Sequence, residues 1–317
     1  MTTYETFASL PHAVTLLGMS GVGKTVLSRS LHHSANWYHY SADYRIGTRY
    51  LAENILDNIK FKIMHMGDRF VADLLRSDSI YINHNITVDN LAPVSTFLGM
   101  YGSADNGGLD KATFLERQDM YRCAEISSMI DVDNFINKAW SIYQCNNFIN
   151  DASGSLCEIV DSNDPNDPVI KALRGETLII YIKANEIYEE ALKKRAHSSP
   201  KPLFYNPDFI TPRLAEQPDD GFGVDPVEFA RPLFPELLNF RKPRYEQIAN
   251  DYGFTIEADQ LFDEADSEGD DPVSGRFMEK LYNMVIDQAG RAPHIADNLA
   301  MYLQACEKRK DARNLDR

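Results

Sequence analysis

Residues 13–31 read AVTLLGMSGVGKTVLSRSL. The first five form an unbroken apolar run, the pattern of a parallel strand buried on both faces. GMSGVGKT (18–25) follows and matches G-x-x-x-x-G-K-[ST] through Gly18, Gly23, Lys24 and Thr25. Each part of the pattern has a physical task. Glycines let successive backbone N–H groups curl around phosphate oxygens, and the positive end of the next helix adds to the attraction. Ser20, Gly21, Val22 and Gly23 would form that cradle, with Val26 in the first helical turn. Lys24 is placed to reach the β- and γ-phosphates of a nucleoside triphosphate, and Thr25 to hold Mg²⁺. KTVLSRSLHH (24–33) predicts the helix, with Val26, Leu27 and Leu31 on its apolar face and Ser28, Arg29 and Ser30 outward.

Working outward, WYHYS (37–41) predicts a second strand ending just before Asp43, and NNFIND (146–151) a third ending in Asp151. ETLIIYIKA (176–184) is the clearest strand, followed by a helix with Asn185 as its N-cap, and FTIEA (254–258) is a last one. Trp37, Tyr38 and Tyr40 alternate along their strand and are expected to pack on both faces. Strands alternating with helices imply an α/β fold, a parallel sheet with helices on both faces. Residues 1–49 and 146–260 form the expected core. Residues 50–145 are dominated by amphipathic stretches and are expected to be a helical insertion, with one extra strand possible at 79–88. Residues 198–226, rich in Pro, Asp and Gly, read as a loop. FARPLFPELLNFRKPRYEQIANDYG (229–253) is expected as two helical pieces around its prolines. Residues 261–317 are expected as a C-terminal helical extension, a cap preceded by an acidic surface loop at 263–271.

The 317 residues carry 32 Lys and Arg against 47 Asp and Glu, a formal charge of −15. Such a surface repels phosphate backbones unless a local basic groove forms, so nucleic acid is not the expected partner. The one modest basic cluster of the insertion is NIKFKIMHMGDRF (58–70). Cys123, Cys145, Cys157 and Cys306 have no metal-site spacing and read as free thiols of a reducing compartment. The N-terminus lacks the pattern of a signal peptide, and no run of about 18 apolar residues suggests a membrane span. A cytoplasmic protein is expected.

LLGMSGVGKTVLSRSL resembles the opening of shikimate kinases and of related small-molecule kinases such as gluconate kinases, which are P-loop NTPases. The similarity continues in order. SAD (41–43) falls where those kinases carry D-x-D, NDASGS (150–155) where they carry a glycine-rich turn under the substrate, and LIIYIKANEIYEEALKKRAHSSPKPL (178–203) where they carry a strand, helix and lid. RKPRYEQIA (241–249) resembles their R-x-P-x-Y-x-x-x-A helix. The chain is also similar to bacterial proteins labelled only as ATPases. The resemblance covers roughly half the chain, and residues 50–145 have no counterpart in it. It implies that Asp43 orients the acceptor hydroxyl and takes its proton, that Arg195 stacks on adenine, and that Lys201 clamps the β- and γ-phosphates. It further implies that Arg241 binds a substrate carboxylate and that Gly154 belongs to the substrate turn. Asp151, at a strand end, is the expected acid for Mg²⁺, beside Thr25. The sequence departs from the pattern at Ser41, which replaces the first aspartate, at Lys201, which replaces an arginine, and in the single glycine of the turn. Arg231, in a second RPL, is a rival to Lys201.

Each of these residues also has a plainer reading. Asp43 suits an N-cap, Asp151 a turn, Arg195 a helix C-terminus, Lys201 a solvated loop, and Arg241 an ion pair with Glu246 or another acid. Arg45 and Arg49 are further candidates for an anionic substrate, while Arg76 is flanked by Asp73 and Asp78 and reads as a local pair. The expected function is an ATP- and Mg²⁺-dependent kinase for a hydroxyl of a small anionic metabolite, a nucleoside or a nucleotide. A regulatory ATPase whose insertion binds a partner protein, and a kinase of a nucleic acid end, are the alternatives.

Overall fold

The computed structural model describes residues 3–34, 36–262 and 273–315. Five strands, β1 (Ala13–Leu17), β2 (Trp37–Ser41), β3 (Asn147–Asp151), β4 (Leu178–Lys183) and β5 (Phe254–Glu257), form one sheet in the order β2-β3-β1-β4-β5. Every pairing is parallel. All five lie where the apolar runs place them. β1 is buried along its whole length, and β4 along all but its last residue. This is why both read as continuous hydrophobic segments instead of alternating ones.

The chain divides into two compact units. The first takes residues 1–42, 129–195 and 235–317 and contains the sheet. On one sheet face Val14, Leu16, Ile149, Ile180 and Phe254 pack with Leu27 and Leu31 of the helix Lys24–Ser34. The same cluster takes in Phe277, Leu281 and Val285 of the helix Val273–Ala289, and Leu299, Tyr302 and Cys306 of Pro293–Leu315. The C-terminal helices are therefore a layer of the core, where the sequence suggested a cap. The acidic stretch 263–271 lies outside the described residues. On the opposite face Tyr38 and Tyr40 meet Phe135 of the helix Val132–Ser141, and Tyr181 stacks on Tyr245 of the helix Leu233–Tyr252 at 5.2 Å. Trp37 turns to the first face, edge-on to Phe277. The three aromatics of β2 thus pack on both faces, as their alternation requires.

The second unit takes residues 43–128 and 196–234. It is helical, with Ala52–His65, Arg69–Arg76, Ala92–Leu98 and most of Lys111–Ile130. The division therefore falls elsewhere than at residues 50 and 145. Val132–Ser141 belongs with the sheet, and 196–234 belongs with the helices.

Two local expectations are corrected. Residues 79–88 form no strand. Tyr81 is exposed, and Thr87 and Asn90 close a turn on each other through reciprocal backbone bonds of 3.1 Å. Residues 198–226 contain a helix, Pro207–Leu214. Asn206 caps it by accepting from the Asp208 N–H, Pro207 occupies its first turn, and Phe209, Ile210 and Leu214 are buried. The same Asn-Pro pair that suggests a loop is also a helix start. Residues 229–253 fall in two helices as expected, Pro226–Ala230 and Leu233–Tyr252, parted at Pro232, and the second runs unbroken through Pro243. An interior proline typically costs a helix ~3 kcal/mol, and here two buried anchors flank it, Arg241 and Tyr245. Asn185 caps the helix Glu186–Ser198 as expected, its Oδ1 accepting from the Tyr188 N–H at 3.0 Å. Among the described residues no helix is long and apolar enough to cross a membrane.

Candidate functional site

The chain leaves β1 towards β2 on one side of the sheet, and leaves the adjacent β4 towards β5 on the other. Neighbouring strands whose exits diverge open a crevice at their C-terminal ends, the place where open α/β sheets bind ligands. Residues 18–23 begin there. Gly18, Gly21 and Gly23 have φ of +142°, +89° and +108°, values that side-chain-bearing residues rarely adopt. At Gly18 a Cβ would also stand 2.9 Å from the Ile182 carbonyl of β4, so the loop is pressed onto the sheet edge.

Lys24 opens the helix Lys24–Ser34. Its Nζ donates to the carbonyls of Gly18 at 2.6 Å and Met19 at 3.1 Å, which folds the ammonium back across the loop. Lys24, Leu27, Ser28 and Leu31 are all buried, the i, i+3, i+4, i+7 stripe that an inward Lys24 dictates. That stripe overturns two expectations. Val26 is 66% exposed, and Ser28 is fully buried. Thr25 is half-buried in the first turn.

Asp151 ends β3 and is paired in register with Leu16 of β1 and Ser41 of β2. It is buried, and its Oδ2 lies 3.5 Å from Nε2 of His39 on β2. That nitrogen and the Ser28 hydroxyl are buried without a hydrogen-bond partner. Both are polar atoms in a setting where water or a bound ion ordinarily completes the bonding.

Arg195 also reaches the loop. Its Nη2 lies 3.4 Å from the Ser20 carbonyl, and its guanidinium fills the space where a Gly21 Cβ would stand. The ring of Phe262, which the sequence reading did not single out, covers Gly23 in the same way.

Gly154 sits against the loop from the other side, where a Cβ would be 2.8 Å from the Ser20 nitrogen. Its carbonyl accepts from the Tyr245 hydroxyl at 2.5 Å. Burial pushes the phenols of Tyr245 and Tyr181 well above their ordinary range, so both stay neutral, and Tyr245 acts as a donor. Arg241, one turn earlier in the same helix, donates through Nε at 2.6 Å and Nη2 at 2.5 Å to Glu158 Oε1. Both side chains are inside the protein. Burial disfavours the Arg241 charge, and the Glu158 carboxylate more than offsets this, so its pKa is raised. The expected substrate-carboxylate role for Arg241 is therefore corrected, because an internal carboxylate already occupies the guanidinium. Glu246, the neighbour weighed as its partner, pairs with Lys183 instead. RKPRYEQIA thus braces the turn 152–158, which in turn braces the loop. Glu158, buried in the apolar LCEI, is the partner that the sequence reading missed.

The remaining candidates belong to the helical unit. Asp43 lies in the first turn of Ala42–Arg45, two residues after β2, and its Oδ1 accepts from the Tyr121 hydroxyl at 3.2 Å. A five-residue π-helix, Ile46–Tyr50, follows at once. Lys201 is exposed. Its rival Arg231 is held by Glu228 at 2.9 Å and by the His197 carbonyl. Arg76 pairs with Asp73.

No protein-family model matches the chain, and no curated protein sequence matches it.

Proposed function

We propose that the chain is a P-loop NTPase of the kinase type. On this reading it is an ATP-dependent phosphotransferase that moves the γ-phosphoryl group onto a hydroxyl of a small anionic metabolite, a nucleoside or a nucleotide. The observation that carries the reading is the loop. Three glycines at left-handed φ join a central parallel strand to a helix N-terminus, with the Lys24 ammonium laid across them. That is an anion cradle, and the carbonyl bonds of Lys24 can be exchanged for phosphate oxygens.

In the proposed step the acceptor oxygen bonds to the γ-phosphorus as the bond to the β–γ bridging oxygen breaks. ADP leaves with the electron pair, and Asp43 takes the hydroxyl proton. Arg195, over Gly21, supplies a cation at the nucleotide. Thr25 and Asp151 offer a hydroxyl and a carboxylate, the oxygen donors that suit Mg²⁺, an ion that keeps several waters and needs few protein ligands. When bound, the ion neutralises charge on the β- and γ-oxygens.

One observation favours a second reading, an ATPase with water as acceptor. Arg241 is consumed by Glu158, and Gly154 is closed against Ser20, so two residues expected to meet an organic acceptor face the protein instead. The test is turnover of γ-labelled ATP with Mg²⁺, alone and against pools of metabolites and nucleosides, reading ADP and transferred phosphate separately. Label on a small molecule supports the kinase. Free phosphate alone, unchanged by every pool, replaces it with the ATPase. In the kinase, Asp43→Asn is expected to leave ATP binding intact and to slow transfer by about 100-fold.

A further inference from the structure

At the opposite end of the sheet, where β1 and β3 begin, the first unit holds a cavity of about 250 Å³. Its charged lining residues are Lys310 and Arg313, and no Asp or Glu lines it among the described residues. This is notable in a chain with 47 acidic residues against 32 basic ones. The polar remainder consists of the Ser9 hydroxyl and the carboxamides of Asn146, Asn147 and Asn314. Trp140 supplies an aromatic wall.

The two cations are held by neutral groups. Arg313 Nη1 donates to the Asn146 carbonyl at 2.7 Å, and the guanidinium stands 5.0 Å from the Trp140 ring centre. Lys310 Nζ donates to Ser9 Oγ at 3.3 Å. One turn back, Arg309 is balanced by Glu176 at 3.1 Å. Among the described residues no carboxylate pairs with Arg313 in this way. Burial, and then the Arg309 charge, lower its pKa to about 10. Among the described residues this half-buried cation, which shares the cavity with Lys310, has no counter-charge, and an anion would supply it. Asn147 adds to the donor set. Its Oδ1 accepts from the His12 backbone N–H at 2.9 Å, which fixes the carboxamide and leaves its NH₂ as the remaining donor group.

We propose that this cavity is a binding site for a small phosphate-bearing metabolite, separate from the glycine loop. Two cations match a phosphate dianion, and hydroxyl and carboxamide donors match its oxygens. The volume lies just below the ~300–1,000 Å³ of ordinary ligand pockets, which suits a phosphomonoester on a short carbon skeleton. The length of β1, five residues at roughly 3.3 Å each, separates it from the loop. The inference does not depend on the proposed kinase reaction.

Tryptophan fluorescence tests it. Trp140 lines the cavity, and Trp37, the chain's second tryptophan, is buried in the core. The full-length protein is titrated with inorganic phosphate, glycerol 3-phosphate and citrate, each against sodium chloride at equal ionic strength. A saturable change with the phosphomonoester is expected. It should be lost in Trp140→Phe, kept in Lys24→Ala, and shifted to at least about ten-fold higher concentration in Lys310→Glu, the loss of a hydrogen bond to a charged group. Lys310→Ala, at an exposed position, repeats the measurement should the charge reversal disturb folding. No saturable change beyond the chloride control, or an equal midpoint in both Lys310 variants and the parent, overturns the site. Tighter binding of citrate than of either phosphate overturns the ligand class.

Discussion

Lys24 and Arg241 are buried cations of the same unit, and they are held in different ways. Lys24 lies across the loop on the carbonyls of Gly18 and Met19. Arg241 is locked to the Glu158 carboxylate. Carbonyl bonds are bonds to dipoles, which an incoming anion can outcompete. A desolvated ion pair is different, because freeing one partner leaves the other charge buried alone. On the proposed reading, the same type of feature, a positive side chain inside the protein, serves a ligand in one place, while in the other it serves the architecture. His12 is a third case. It is buried with Nδ1 2.8 Å from the Tyr302 hydroxyl and Nε2 2.8 Å from the Phe7 carbonyl, and it stays neutral.

The sharpest way to break this contrast is Lys24→Ala. In the proposed reaction the ammonium meets the developing charge, so nucleotide turnover is expected to fall by about 1,000-fold or more. The melting temperature should hardly move, and a variant that turns over ATP normally would remove Lys24 from the site. Arg241→Met should do the reverse. It is expected to cost about 3–5 kcal/mol by stranding Glu158, read by denaturant unfolding, and Arg241→Met with Glu158→Leu should recover much of the loss. Full stability in the single variant would show that the pair is not what holds the turn.

His12 sharpens the comparison through pH. Burial, the largest cause, lowers its pKa from 6.5 to about 4, against the opposing bond to Phe7. The unfolded chain therefore binds a proton that the folded one does not. Stability from this group is full above pH 6.5 and is lost as pH falls towards 4, by roughly 3 kcal/mol at ~1.4 kcal/mol per pH unit. His12→Gln should flatten that part of the stability profile. The smallest effect is expected at Tyr245→Phe, which removes the bond to Gly154. A loss of about 1–2 kcal/mol in stability, with a modest rise in KM for ATP, would place the brace behind the loop. No change in either would confine the hydroxyl to packing.

The positions of all five strands were legible because a sheet covered on both faces writes itself as apolar runs. The loop was legible because its glycines, lysine and threonine are contiguous in the chain. Arg241 was found, and its role was not, because Glu158 lies 83 residues away and no local pattern joins them. The i, i+4 neighbours of a helix can be read, whereas a partner in a distant turn cannot. Ser28 was read as outward because polarity outweighed phase; counting from a buried Lys24 places it inside. The helix at Pro207–Leu214 was hidden by composition, since proline and asparagine mark starts as readily as they mark turns. Asp43 was chosen on resemblance and on its place just after β2, and its role rests on the reaction proposed above; Lys201, chosen on resemblance alone, is exposed.

The layer that Val273–Ala289 and Pro293–Leu315 lay over Val14 and Leu16 has a consequence for biogenesis. Translation passes Leu17, the end of β1, long before it reaches Val273, where the helices that cover one of its faces begin. At about 5–20 residues per second, that face waits roughly 10–60 s for its cover. Until then the nascent chain exposes an apolar strand face, a surface that holding chaperones recognise. Slowing translation between β1 and these helices should therefore increase aggregation of newly made chains without altering the stability of those already folded.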